Sequence, residues 1–195
     1  MPIGETKKLF LCWPAEEHNL KLLNEEPPGP ERLLHIFDRL EGGCCTVVCH
    51  DTPLYLSSGT LHAVVTLRGG FMYAGNFMTA SNGPAFLRSF RFSRALVDGY
   101  KESERRGLFE NLWEQVHITI GRPSCYAPLV TELVESWSVI QEVGRKSDKK
   151  YLAQHLHKLV HNPEWQQVRT DCSNAVLTRL DEILSGQYKR RVHNH

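Results

Sequence analysis

The stretch LYLSSGTLHAVVTLRGGFMYAGNF, residues 54–77, decides the fold of the N-terminal part of this chain. It contains three apolar runs, at 54–56, 60–67 and 71–77, which the connectors SSG and RGG separate. Runs of β-branched and aromatic residues between glycine-rich and serine-rich connectors predict three strands joined by tight turns. The middle run carries His62, and a histidine in an apolar strand is more often a hydrogen-bonded core residue than a ligand.

Another strand is predicted at residues 7–13, KKLFLCW, which Pro14 ends. Alternation along a strand divides it into two faces, one with Lys7, Leu9, Leu11 and Trp13 and the other with Lys8, Phe10 and Cys12. If Lys7 points into a barrel, it is a buried cation that requires an anion. The alternative is an exposed lysine on an edge strand, which is a common place for lysine.

Four short motifs together resemble a known family: KKLFLCWP at 7–14, EHNL at 17–20, GTLHAVVT at 59–66 and YAGNF at 73–77. In this order and spacing they are similar to the C-terminal half of the JmjC (jumonji) domain of Fe(II)/2-oxoglutarate-dependent oxygenases. The resemblance implies an α+β fold. Residues 1–82 would form a partial cupin-like (double-stranded β-helix) sheet, and residues 83–195 a helical region with a basic C-terminal tail.

The resemblance also implies roles for three residues. His62 corresponds to the last metal ligand of the family, and Asn76 to a polar residue near the metal or the cosubstrate. Lys7 corresponds to the lysine that binds the 5-carboxylate of 2-oxoglutarate. Counting back from Pro14 favours Lys7 over Lys8, although a slip of one residue would exchange the two faces of the strand. Such an oxygenase holds Fe(II) with two imidazoles and one carboxylate.

The chain departs from the family pattern before the lysine strand. The family places its first two ligands there as a His-x-Asp or His-x-Glu pair, whereas residues 1–6 contain no histidine and Glu5 as their only carboxylate. We therefore expect neither demethylase nor hydroxylase activity from this polypeptide alone, and we assign no catalytic residue. Three explanations are open: a chain cut at its start, a pseudo-oxygenase, or a half-barrel completed by a partner chain. The substrate implied by the resemblance is a histone or another protein.

Helical periodicity predicts two short helices within residues 14–40 and a series of longer ones after the β region. The longer segments are 85–105, 108–120, 127–143, 151–161 and 165–184, followed by a frayed tail at 185–195. Arg88, Arg91 and Arg94 make one flank basic, which could bind phosphate or an acidic tail, although a solvated helix face is commoner. The alternative to an oxygenase fragment is a non-catalytic interaction module that uses these helices.

Two other groups of residues could bind a metal ion. Cys45, Cys49 and His50 suggest zinc, but neighbouring strand residues face opposite sides and cannot easily converge on one ion. His157 and His161 are four residues apart, as in a helical chelate, although a pair of surface histidines is several times commoner. Asp51, which follows His50, begins a predicted turn.

Composition indicates ordinary globular material. The 195 residues carry a net charge of +1, and 41% of them are hydrophobic, so no strong attraction to nucleic acid or to a membrane is expected. No apolar run approaches 18 residues. Six cysteines do not suggest a secreted disulfide framework. We expect an intracellular protein, nuclear rather than cytoplasmic, with Lys189, Arg190 and Arg191 as a weak import signal.

Overall fold

The computed structural model describes residues 1–27, 29, 31–92 and 102–192, with the backbone alone for 102–105 and 187–192. The chain forms two compact units, residues 1–77 and 78–195. The first unit holds the described strands and two short helices, and the second is helical. The protein therefore has the mixed α+β composition that the sequence predicts, with helix predominating.

The strands of the first unit form two small antiparallel sheets. Their bounds are β1 (Pro2–Ile3), β2 (Lys7–Trp13), β3 (Cys44–Val48), β4 (Leu61–Arg68) and β5 (Phe71–Met72). One sheet has the order β3-β2-β4, and β1 pairs with β5 in the other. The prediction of β2 is confirmed at both ends. β4 begins and ends one residue later than the run predicted at 60–67.

The other strand predictions from the 54–77 stretch are wrong. Residues 54–56 are irregular, and Leu54 and Leu56 pack instead on the buried residues Phe10, Cys12 and Val48. The run at 71–77 is a strand only at Phe71–Met72, because its partner β1 is itself two residues long. The RGG connector therefore joins strands of two different sheets and closes no hairpin.

Two short helices complete the first unit, α1 (Glu17–Glu25) and α2 (Arg32–Ile36), and the turn Phe37–Arg39 follows α2. Asn19 of α1 is fully buried and connects two chain segments. Its Nδ2 donates to the carbonyl oxygens of Pro14 and Glu41 at 3.0 and 2.9 Å, and its Oδ1 accepts from the Glu41 amide at 2.9 Å. Asn19, which the EHNL motif contains, thus has a structural role.

The second unit contains seven helices among the described residues. They are α3 (Gly83–Phe92), α4 (Glu102–Thr119), α5 (Tyr126–Glu135), α6 (Trp137–Val143), α7 (Lys146–Val160), α8 (Pro163–Val168) and α9 (Asn174–Val192). Their apolar faces meet in one core, whose fully buried members include Phe109, Leu112, Tyr126, Leu133 and Leu156.

Two helices that the periodicity predicts as continuous are each divided. Residues 127–143 form α5 and α6, separated at Ser136, whose buried hydroxyl donates to the Leu87 carbonyl at 3.2 Å. Residues 165–184 form α8 and α9, separated by the turn Arg169–Asp171 and by Cys172. The prediction of a frayed tail at residues 185–195 is wrong as far as Val192, because α9 continues to that residue.

The hydrophobic helices of this unit face its own core. Within the described ranges, no helix is both long enough and apolar enough to cross a bilayer.

Candidate metal and cosubstrate site

The register of the three-stranded sheet defines the surface on which His62 lies. Residues that face each other on neighbouring strands project to the same side of a sheet. We call this surface the His62 face. It comprises Lys8, Phe10 and Cys12 of β2, Cys44, Thr46 and Val48 of β3, and His62, Val64 and Thr66 of β4. The opposite surface, the Leu9 face, carries Leu9, Leu11 and Trp13 with their partners, among them Cys45, Val47 and Val65.

The His62 side chain is exposed and held in one tautomer. Its Nδ1 lies 3.2 Å from the carbonyl oxygen of Thr60. Because a carbonyl oxygen only accepts hydrogen bonds, Nδ1 is the protonated nitrogen of the neutral ring, and Nε2 then carries the lone pair. The ring stacks against Phe10 with centroids 6.4 Å apart. Metal-binding imidazoles commonly show such an arrangement, with one nitrogen anchored to a carboxylate, a carbonyl or water and the other available.

Lys8, and not Lys7, shares a face with His62. Lys7 is exposed and lies opposite Arg68, on the other side of β2, and an irregular pairing separates it from Lys8. The Lys8 ammonium donates a 2.6 Å hydrogen bond to the hydroxyl of Thr66, the residue opposite it on β4. Of the two lysines considered above, only Lys8 lies on the sheet face that carries His62. The residue alternation alone could not reveal this, because it does not show which face carries His62.

Asn76 lies in the exposed irregular segment that follows β5. Since the strand predicted at 71–77 does not form there, no strand register places Asn76 beside His62.

Thr66 completes the set of polar residues near Lys8, and residue patterns did not single it out. A hydroxyl and an ammonium 2.6 Å apart can both donate to one carboxylate. The signal that could have found it is the spacing of four residues from His62, since residues separated by an even number share a strand face.

At this site His62 is a candidate metal ligand, and the described residues provide no set of three ligands. Nowhere in the described ranges do three His, Cys, Asp or Glu side chains lie close enough to hold one metal ion. This also removes the zinc interpretation of Cys45, Cys49 and His50. Cys45 belongs to the Leu9 face, whereas His50 lies in the turn after β3 and pairs with Asp51 at 2.8 Å. The turn predicted at Asp51 is present, with the Thr52 amide donating to the Cys49 carbonyl.

Cys12 lies between Cys44 and His62 in a row across the sheet. Burial raises the pKa of the Cys12 thiol above its ordinary value, and the neighbouring Cys44 raises it further. Cys12 is therefore a protonated, largely apolar neighbour of His62 at neutral pH.

The arginine flank of α3 pairs with acidic residues of α5. Arg88 donates from Nε and Nη2 to one carboxylate oxygen of Glu132, at 2.9 and 2.8 Å. Arg91 pairs with Glu135 and lies 3.7 Å from the second oxygen of Glu132. These two partly exposed arginines thus connect two helices. Arg94, the third arginine of the predicted flank, lies outside the described residues.

His157 and His161 do not converge on a common point. Their rings stack with centroids 3.8 Å apart, and Nδ1 of His161 lies 2.8 Å from the His157 carbonyl oxygen. Parallel stacked rings direct their nitrogens side by side, so the pair would have to rearrange to chelate a metal ion.

The helical unit has a surface groove between α6 and α9. It has a volume of about 450 Å³, and its lining includes Trp137, Ser138, Arg179 and Ile183. Arg179 forms an ion pair with Glu182 at its rim.

Comparisons of the chain with profiles of known protein families, with curated proteins and with solved structures found no match.

Proposed function

We propose that residues 1–77 are one half of a JmjC-type, cupin-like core of an Fe(II)/2-oxoglutarate-dependent oxygenase, of the protein hydroxylase or histone lysine demethylase type. In this proposal His62 is a ligand of the iron, and Lys8 with Thr66 binds the far carboxylate of 2-oxoglutarate. The proposal rests chiefly on one observation. His62 has an available Nε2 and lies on the same sheet face as a paired ammonium and hydroxyl.

The spacing of these groups suits the cosubstrate. His62 faces Cys12 and Lys8 is four residues from Cys12, so about 13 Å separates the two positions along the strand. This distance is of the order that a lysine and a histidine side chain can span when they extend toward each other with a metal ion and the five-carbon acid between them. Asn76 is not part of this proposal, because its segment does not form a strand of the sheet.

The residues fit the iron in part. His62 provides one imidazole, a ligand type that suits iron, and the described residues hold no set of three ligands of the two-histidine, one-carboxylate kind. When bound, Fe(II) with 2-oxoglutarate would supply the oxidising chemistry. The residues of this chain would orient the acid through Lys8 and Thr66 and would hold the ligand nitrogen through the Thr60 carbonyl.

We further propose that a partner chain supplies the missing ligands by extending the sheet. Both outer strands, β3 and β4, pair only with β2 in the described part of the chain. Val47 and Val65 on the Leu9 face remain 48% and 46% exposed, and Val64 on the His62 face remains 40% exposed. Unpaired edges beside exposed β-branched residues are favourable places for strand addition. By this proposal the chain alone is inactive, and its substrate is a protein such as a histone.

Metal binding by the full chain tests the role of His62. One imidazole binds a divalent ion weakly, so we expect Mn(II) to broaden the NMR signals of His62 selectively at millimolar concentration, without tight binding in calorimetry. Broadening should vanish from the β4 signals in His62→Ala. His50→Ala is the matched control, because His50 is an exposed histidine of the same unit. Broadening that depends on His50 and persists in His62→Ala would refute the assignment.

A second candidate function is a non-catalytic interaction module, and the groove between α6 and α9 favours it. Ser138 is an exposed lining residue, so Ser138→Arg would obstruct the groove without altering the core. Gln154→Arg, on an exposed position of α7 outside the groove, is the control. In a proximity-labelling experiment in cells, a set of labelled neighbouring proteins should disappear for Ser138→Arg and remain for Gln154→Arg. Identical sets for both variants and the wild type would remove this candidate.

Nuclear location is also a proposal, based on Lys189, Arg190 and Arg191 near the end of α9. Fluorescence imaging should show nuclear enrichment that decreases when the three residues are changed to glutamine. Unchanged distribution would contradict it.

A further inference from the structure

Two thiols face each other across the first two strands of the three-stranded sheet. In the antiparallel pairing of β2 with β3, Cys12 lies directly opposite Cys44, and both side chains belong to the His62 face. Directly opposed residues of antiparallel strands have Cα atoms about 4.5–5.5 Å apart, within the range of about 4.4–6.8 Å that a disulfide requires. The strand register thus brings the two sulfur atoms within reach of one another without a change of fold.

The other cysteines are not placed in this way. Cys45, next to Cys44, faces Leu11 and lies on the opposite side of the sheet. Cys49 lies beyond the end of β3, and Cys125 and Cys172 belong to the helical unit. The facing arrangement therefore selects one pair among the six thiols.

The two thiols differ in access to solvent. Cys44 is exposed, whereas Cys12 is 8% exposed and packs with Phe10 and Val48. An accessible thiol beside a protected second thiol is the arrangement of a peroxide-sensing pair, in which the first sulfur meets the oxidant and the second resolves it.

We propose that Cys12 and Cys44 are a redox site that forms a reversible cross-strand disulfide when the protein meets hydrogen peroxide. The Cys44 thiolate attacks one peroxide oxygen, the O–O bond breaks, and the departing hydroxide takes up a proton as water. The Cys12 sulfur then attacks the sulfur of the Cys44 sulfenic acid. The S–S bond forms as the S–O bond breaks, and the departing oxygen leaves as a second water with the proton of Cys12. Two thiols thereby lose two electrons to one peroxide, and a dithiol reductant reverses the step.

This inference does not rest on the proposed oxygenase function, because the strand register and the exposure of the two thiols alone support it. Its consequence for the sheet is a covalent connection between β2 and β3, next to the position of His62 on β4.

Peptide mapping of the full chain tests the proposal. The folded protein is treated with hydrogen peroxide, its remaining thiols are alkylated, and it is digested with trypsin without reduction. Cleavage after lysine and arginine places Cys12 in peptide 9–21 and Cys44 in peptide 40–68. We expect these two peptides to be joined in most molecules, and to separate after treatment with dithiothreitol.

Three variants identify the sulfur atoms. The linked peptide should be lost in Cys12→Ser and in Cys44→Ser. It should persist in Cys45→Ser, the matched control whose side chain faces away, and in Cys49→Ser. Circular dichroism before oxidation shows that each variant is folded. The proposal is overturned if the bridge joins other cysteines or two chains, or if Cys44 proceeds to sulfinic acid while Cys12 stays a free thiol.

Discussion

Lys8 and Thr66 face each other across β2 and β4, and the ammonium of one donates to the hydroxyl of the other at 2.6 Å. Lys7, one residue earlier, projects from the opposite side of β2. The two adjacent lysines therefore form a natural pair for comparison, since only one of them can serve a site that includes His62.

The first prediction concerns the binding of 2-oxoglutarate. Lys8→Ala should abolish the chemical-shift changes that millimolar 2-oxoglutarate causes at residues of β2 and β4, because it removes the cation that would pair with the carboxylate. Lys7→Ala should leave them within about twofold of the wild type. NMR titration measures both. Equal losses in the two variants would indicate a nonspecific effect of positive charge and would contradict the Lys8 assignment.

The second prediction concerns the RGG connector. Gly70 has a φ of 141°, and a Cβ atom added there would lie 1.8 Å from the Thr6 hydroxyl oxygen. Gly70→Ala should therefore lower the free energy of unfolding of the first unit by about 1–3 kcal/mol. Gly69→Ala is the matched control, because an added Cβ meets nothing within 4 Å. Urea denaturation followed by the NMR signals of β2 and β4 measures both. Equal stability of the two variants would show that Gly70 is not conformationally required.

The third prediction concerns Asn19. Its side chain makes three hydrogen bonds to the backbone at Pro14 and Glu41 while fully buried. Asn19→Ala leaves buried backbone groups without partners and should cost about 2–4 kcal/mol of unfolding free energy. His18→Ala, at the exposed preceding position, should cost less than about 1 kcal/mol. Hydrogen exchange of the Glu41 amide gives a local measurement, and unchanged protection in Asn19→Ala would contradict the structural role.

The fourth prediction compares two carboxylates on α5. The Glu132 side chain is 10% exposed and accepts two hydrogen bonds from Arg88, whereas Glu135 is 46% exposed and pairs with Arg91. Glu132→Ala should destabilise the helical unit by about 1–3 kcal/mol, because it leaves Arg88 without its buried partner. Glu135→Ala should cost about 1 kcal/mol or less. Thermal denaturation measures both variants, and the midpoint of Glu132→Ala should be the lower one. A lower midpoint for Glu135→Ala would be inconsistent with this packing.

The fifth prediction concerns the dependence of stability on pH. Burial raises the pKa of the Cys172 thiol above its ordinary value of 9.0, with a further contribution from Asp171, although the Thr131 hydroxyl lowers it. Well below pH 9.0 the thiol is protonated in the folded and the unfolded chain alike. At higher pH the unfolded chain loses this proton first, so the free energy of unfolding falls as the pH rises toward the folded pKa.

Cys172→Ala should reduce that loss, which denaturation at a series of pH values from about 8 to 10.5 would reveal. Tyr126 contributes in the same direction, because burial and the nearby Glu164 carboxylate raise the pKa of its phenol. The variant Cys172→Ala, Tyr126→Phe should therefore show the flattest profile. A slope that stays the same in both variants would assign the pH dependence to other groups.

The sequence predicts those elements best whose pattern is local. The alternation in KKLFLCW, closed by Pro14, predicts β2 at its observed bounds. Residues 54–56 look equally strand-like, but Leu54 and Leu56 reach their apolar partners from an irregular segment. The local pattern likewise does not show the division at Ser136, whose hydroxyl donates to the Leu87 carbonyl, 49 residues away.

The site is less predictable than the fold for a related reason. The family resemblance, and not the residue pattern, points to His62. Which of Lys7 and Lys8 shares its face depends on the pairing of β2 with β4, which the local pattern of neither strand contains. The ion pairs of Arg88 and Arg91 are equally hidden from the sequence. A basic flank on one helix does not reveal that Glu132 and Glu135 lie opposite it.

The order β3-β2-β4 also has a consequence during synthesis. The central strand of this sheet is made first, and 55 further residues must be added after its last residue, Trp13, before Arg68 ends the strand that completes the sheet. At a translation rate of roughly 5–20 residues per second, β2 waits about 3–11 s for β4. During that interval its apolar side chains and one row of its backbone groups are open to other chains. Nascent chains that stall between these two strands should therefore depend strongly on chaperones.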